Sequence, residues 1–141
     1  MNQSNVMTVR YDRTGASSTS NAMGMRPMQA RAYDARFAQY LLLKSPPASG
    51  KSRALMFIAL DKLARKQVSK VIIAVPERSI GKSFKNTNLT TTGFHSDWAV
   101  DEGCNLCLPG GEDNKIAAFE RFMESDARIL LCTHATLRFA C

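Results

Sequence analysis

The chain has 141 residues, 45% hydrophobic and 22% charged, which suits a soluble domain with a real core rather than a low-complexity chain. No apolar run nears the roughly 20 residues that span a bilayer, and residues 1–24 lack the pattern of a secretory leader, so a cytoplasmic, non-membrane protein is expected. Lys and Arg number 19 against 12 Asp and Glu, and the net +7 favours a polyanionic partner such as nucleic acid.

Residues 1–24 are rich in Ser, Asn, Thr and Met without periodicity and read as a mobile, disordered tail. From Met28 to Gln39 the spacing predicts a helix with Met28, Ala32, Ala35 and Phe37 inward. Residues 40–43, Tyr-Leu-Leu-Leu, precede a Pro-rich turn and predict a buried strand. Residues 52–65 form the clearest helix, with Leu55, Ala59 and Leu63 in one row and Met56, Leu60 and Ala64 in the next. Residues 71–75, Val-Ile-Ile-Ala-Val, form the best strand, stopped by Pro76.

Turns are expected at Gly93, Gly103 and Gly110-Gly111. A helix follows over residues 115–123, with Ile116, Phe119 and Met123 on one face, then a third buried strand over 128–132. Short apolar strands alternating with amphipathic helices predict an α/β fold with a parallel sheet flanked by helices.

The four cysteines are Cys104, Cys107, Cys132 and Cys141. Cys104 and Cys107 have the spacing of half a zinc site, but no second pair follows. His95, Cys132 and His134 could complete a site only if folding gathered them. Buried thiols acting as small hydrophobes are the preferred reading.

The chemistry concentrates in Ser45-Pro46-Pro47-Ala48-Ser49-Gly50-Lys51-Ser52, between an expected strand and an expected helix. A triphosphate needs inward backbone N–H groups, close backbone approach and the positive end of a helix dipole. Gly50 permits the approach, Lys51 reaches the β- and γ-phosphates, and the Ser52 hydroxyl is the Mg²⁺ ligand. Ser45, Ala48 and Ser49 complete the cradle. The usual pattern opens with Gly, and here that position is Ser45. Gly-Lys-Ser occurs again at residues 81–83. There Pro76 takes the loop-opening position, Glu77 would place negative charge beside phosphate, and residues 84–93 are a poor helix.

These residues resemble the first RecA-like domain of superfamily 2 helicases, closest to DEAD/DEAH-box helicases and the motor subunits of type III restriction enzymes. The resemblance covers residues 25–141 and rests on four blocks. Residues 45–52 are similar to the family's phosphate-binding motif, with Ala48 in place of a usual Gly. Met25-Arg26-Pro27-Met28-Gln29 resembles a segment whose Gln reads the adenine edge, a role the resemblance gives to Gln29. Residues 71–78 look like a strand and turn facing the nucleic-acid backbone, which makes Arg78 and nearby Lys82 candidate phosphate contacts. Residues 129–137, with Thr-His-Ala-Thr, resemble a second such turn, where the Thr133 and Thr136 hydroxyls suit backbone contacts.

The resemblance implies an N-terminal portion of an ATP-dependent helicase or translocase, using ATP and Mg²⁺. Its partner is nucleic acid, DNA ahead of RNA. The family's acidic box and second motor domain are not found in the chain. Asp101-Glu102 follows no apolar strand and does not qualify as that box. The alternative is a non-catalytic nucleotide- or nucleic-acid-binding module. A P-loop kinase or transport ATPase fits less well, because of Gln29 and the Thr-His-Ala-Thr block.

Overall fold

The computed structural model describes residues 20–109 and 114–141. The expected turn at Gly110-Gly111 and most of the expected tail lie outside the described residues. The chain divides into two compact units, one comprising residues up to Leu60 with Asn88–Ser96, the other Asp61–Thr87 with Asp97–Cys141. No helix among the described residues is long and apolar enough to cross a membrane.

In the first unit the chain enters through a turn organised by Asn21. Its side-chain oxygen accepts from the amides of Met23 and Met25, both at 2.9 Å, so the end of the segment read as tail is hydrogen-bonded. Helix α1 spans Pro27–Asp34. Proline at its first position has the right φ and no amide to leave unpaired. Met28 and Ala32 are buried as expected.

The helix stops five residues before the expected end. Amides of Ala35 and Arg36 turn back to the carbonyls of Ala32 and Tyr33. The Arg36 guanidinium also donates to the Tyr33 carbonyl and lies 4.1 Å over the Tyr33 ring. A cation on the last carbonyls closes a helix C-terminus. Ala35 is therefore only half-buried, and Phe37 is exposed under the same guanidinium rather than inward.

Residues 40–43 are not a strand, which corrects the sequence expectation. Tyr40 is 62% and Leu42 49% exposed. A strand exists only with a hydrogen-bonded neighbour, and among the described residues none pairs with this run. The unit's core is aromatic: Phe94 meets Tyr33 edge-on at 6.0 Å and Phe57 at 4.8 Å.

Helix α2 spans Lys51–Ala64. Met56, Phe57, Ile58, Ala59 and Leu60 are consecutive buried residues, so this stretch is covered on most sides; Leu55 and Ala64 are exposed against expectation. In the second unit the chain leaves the helix after Ala64, and Lys66 takes left-handed backbone with φ 58°. The Gln67 amide donates to Lys62 and the Lys66 amide to Leu63, a two-bond lock that satisfies the last carbonyls.

Strands β1 (Val71–Val75) and β2 (Ile129–Thr133) pair in parallel, from Val71 opposite Ile129 to Val75 opposite Thr133. The fold is thus α/β, as expected, with a two-stranded parallel sheet among the described residues, flanked by α3 (Lys115–Glu124) and α4 (His134–Ala140). This architecture agrees with a partial RecA-like domain. Leu130, Leu131 and Cys132 are fully buried, which explains the unbroken apolar run. Lys70, just before β1, donates to the carbonyls of Ser125 and Ala127 at 2.7 and 2.6 Å, pinning the α3–β2 connection.

Helix α3 buries Phe119 and Phe122, while Ile116 and Met123 are exposed; the buried stripe is rotated from the expected one. Trp98 is fully buried. Its indole N–H donates to the Phe84 carbonyl, and its backbone bridges Thr87. Gly93 ends a 3-10 turn with φ 107°, and Gly103 lies in another, Glu102–Cys104. The latter places Asp101 and Glu102 off the sheet.

Candidate phosphate loop and candidate nucleic-acid cleft

In the first unit, residues 45–50 form a turn that runs straight into α2. Gly50 accepts from the Ala54 amide at 3.0 Å, so it is the residue from which the helix starts. Helix geometry gives the amides of Lys51, Ser52 and Arg53 no acceptor within α2, and the helix dipole adds positive potential there. The Lys51 ammonium folds back across the turn and donates to the Ser45 carbonyl at 2.9 Å. The hydroxyls of Ser45 and Ser49 share a hydrogen bond of 2.6 Å, and Ser49 is buried. Ser45 therefore has a local task that glycine could not perform. Ser52, the expected Mg²⁺ ligand, stands half-buried in the first turn.

Two residues take left-handed backbone in this turn. Gly50 has φ 96° and Ala48 φ 61°. The residue that replaces the usual Gly is thus the one whose conformation glycine would adopt at least cost.

Gln29 joins this turn from α1. It is 2% exposed. Its side-chain oxygen accepts from the Arg26 amide at 2.8 Å, and its nitrogen donates to the Gly50 carbonyl at 3.1 Å. The carboxamide clamps the first turn of α1 to the start of α2. A β-carbon on Gly50 would lie 2.5 Å from that nitrogen. Arg26 approaches the same point, with one guanidinium nitrogen 3.8 Å from that β-carbon position. Sequence reasoning did not single out Arg26; its spacing of three from Gln29 at a helix start was the available signal.

In the second unit, Pro76, Glu77 and Arg78 after β1 face Thr133, Ala135, Thr136 and Phe139 after β2 across a cleft of about 420 Å³. Parallel pairing brings the two strand ends together, since Val75 lies opposite Thr133. Thr133 begins α4. Its hydroxyl oxygen accepts from the Thr136 amide and donates to the Thr136 hydroxyl, both at 3.2 Å. Thr133 is therefore engaged as a cap, and the Thr136 hydroxyl proton is left to point elsewhere. The structure joins Arg78, Thr133 and Thr136 in one cleft. Lys82 is exposed and is not among the residues lining it. Lys115, which sequence reasoning missed, lines the cleft and donates to the Leu108 carbonyl.

The second Gly-Lys-Ser lies in the 3-10 helix Arg78–Phe84. Gly81 is buried, and a β-carbon there would stand 2.7 Å from the Cys107 β-carbon. Close packing accounts for this glycine. Cys104, Cys107 and Cys132 are buried and free. Among the described residues no group of three or more His, Cys, Asp or Glu could hold a metal ion. Burial pushes all three thiols up, with Cys132 reaching about 11.

Over 136 residues the chain is 59% identical to a Bacillus subtilis (strain 168) protein named "Putative ATP-dependent helicase YeeB". The match covers 96% of this chain and 22% of that protein, so the chain spans about a fifth of its relative's length. No family model matches the chain, and no solved structure matches it. The identity supports a helicase relationship.

Proposed function

We propose that this chain is the ATP-binding, nucleic-acid-contacting portion of an ATP-dependent helicase or translocase of superfamily 2, related to DEAD/DEAH-box and type III restriction motors. The observation that carries the reading is the position of Lys51. Its ammonium lies across a tight turn, at the helix end where amides with no acceptor inside α2 and the dipole both favour an anion. ATP phosphates would replace the Ser45 carbonyl as its partner, and Gly50, Ser49, Ser45 and Ala48 would shape the cradle. Ser52 would hold Mg²⁺, which neutralises phosphate charge when bound. Gln29, buried and bonded to Arg26 and Gly50, would read the adenine edge from where it holds the turn.

Arg78, Thr136, Lys115 and Thr133 form the contact with nucleic acid, DNA ahead of RNA, and Lys82 adds charge from the neighbouring turn. Neither β1 nor β2 carries an acidic residue. The groups that orient Mg²⁺ and the attacking water, and the arginine finger, then come from elsewhere in the whole protein. This chain alone binds nucleotide without turnover, because ground-state contacts lower no barrier.

Calorimetric titration of ATP with Mg²⁺ tests the reading. Lys51→Ala should abolish binding, Lys82→Ala should leave it intact, and phosphate release should stay at background. Loss in Lys82→Ala with Lys51→Ala unaffected would assign the phosphate to the second Gly-Lys-Ser and refute this reading. Robust turnover would refute the division of labour.

A further inference from the structure

We propose that Ser45 is a positioning residue for the bound phosphates: its hydroxyl, paired with that of Ser49, keeps the two limbs of the turn together once an anion draws Lys51 off the Ser45 carbonyl. That role rests on the ATP reading above and adds how the turn holds its shape while occupied. Two bonds tie the empty turn across its mouth, and both end on Ser45. The Lys51 ammonium donates to its carbonyl at 2.9 Å, and its hydroxyl meets the Ser49 hydroxyl at 2.6 Å. The main chain supplies no substitute. Pro46 and Pro47 have no amide to donate. Among the described residues, no backbone–backbone hydrogen bond has both ends within residues 45–50.

A turn without such a tie would open, because it holds strain. Ala48 sits at φ 61°, left-handed backbone that an L side chain leaves when it is free to. Ser49 gives the pair a fixed end. It is 3% exposed and precedes Gly50, whose carbonyl accepts from Gln29 and from the Ala54 amide. Ser45 is the half-buried end, on the limb that the lysine releases. An anion can take the ammonium and leave the hydroxyl pair closed, since the pair uses only one of its two protons. The lysine and the serines therefore divide the work. Lys51 answers charge, and the pair keeps the cradle in shape, so the anion does not have to order the turn as it binds.

The test is calorimetric titration of the full chain with ATP and Mg²⁺, beside urea denaturation of each protein without nucleotide. Ser45→Ala should weaken binding roughly three- to ten-fold. Ser49→Ala and the double variant should weaken it to the same extent, because each removes the same bond. Ser45→Ala alone leaves the buried Ser49 hydroxyl unpaired and should lower the urea midpoint. The double variant leaves no such orphan, so its midpoint should recover toward the parent's while its affinity stays low. Ser45→Thr keeps the hydroxyl and should restore the affinity. If Ser45→Ala binds as the parent does, the tie is overturned and the ATP reading survives. Losses that add in the double variant overturn the pairing, since each hydroxyl would then meet phosphate by itself. Affinity that recovers together with the midpoint in the double variant reduces Ser45 to a structural residue and overturns the inference. If the parent does not bind ATP, the ATP reading falls and this role with it.

Discussion

Replacing Gly50 with alanine strikes the junction of the phosphate turn, α2 and α1. Its backbone φ of 96° is one that L side chains rarely adopt, and holding alanine there costs about 1–2 kcal/mol. The new β-carbon would also stand 2.5 Å from the Gln29 side-chain nitrogen, closer than real β-carbons come. Gln29 cannot swing aside freely, because it is buried and bonded at both ends. Breaking its bond to the Gly50 carbonyl adds about 0.5–1.5 kcal/mol, so Gly50→Ala should destabilise by about 2–3 kcal/mol.

Gln29→Ala alone strips the Arg26 amide of its acceptor and costs about 1–3 kcal/mol, while the Gly50 carbonyl keeps the Ala54 amide. In the double variant the clash is gone and the backbone strain remains. Its loss should fall short of the sum of the singles by about 1 kcal/mol. Urea denaturation followed by circular dichroism on the four proteins closes the cycle. Additivity within about 0.5 kcal/mol would refute the proposed contact between Gln29 and position 50.

Gly81→Ala should destabilise by about 1–3 kcal/mol, since its β-carbon would press on Cys107, while Lys82→Ala should stay within about 0.5 kcal/mol; equal effects in urea denaturation would remove the packing role of Gly81. In the native protein an aromatic disulfide reagent should modify Cys141, the exposed thiol, and reach Cys104, Cys107 and Cys132 only after unfolding; fast native reaction of any of the three would contradict their burial. Because the folded Cys132 thiol is raised to about 11 above an ordinary value of 9.0, the unfolded chain ionises first. The stabilisation is complete below about pH 9 and is lost as pH rises toward 11, so the urea midpoint should fall across that window, and less steeply in Cys132→Ala.

Local signals were readable in this chain where neighbours along the sequence decide the outcome. Helix α2, strand β1 and the turn between residues 45 and 51 follow from apolar spacing, β-branched residues and a Gly-Lys-Ser start, all of which act within a few residues. The same short range limits them. Nothing near residues 40–43 reveals that no strand lies beside them, because ladder partners are distant in sequence. The early stop of α1 came from Arg36 folding onto Tyr33 and Phe37. The stripe buried on α3, Phe119 with Phe122, depended on which elements pack against it. The resemblance offered Gln29 only an adenine role; its contact with Gly50, 21 positions away, came from folding. Likewise β1 and β2, far apart in sequence, set Arg78 and Thr136 across one cleft through their parallel register. Propensity and capping are energies of adjacent residues. Strand pairing, buried stripes and the meeting of site residues are energies of contacts made across the chain, and these the tertiary structure decided.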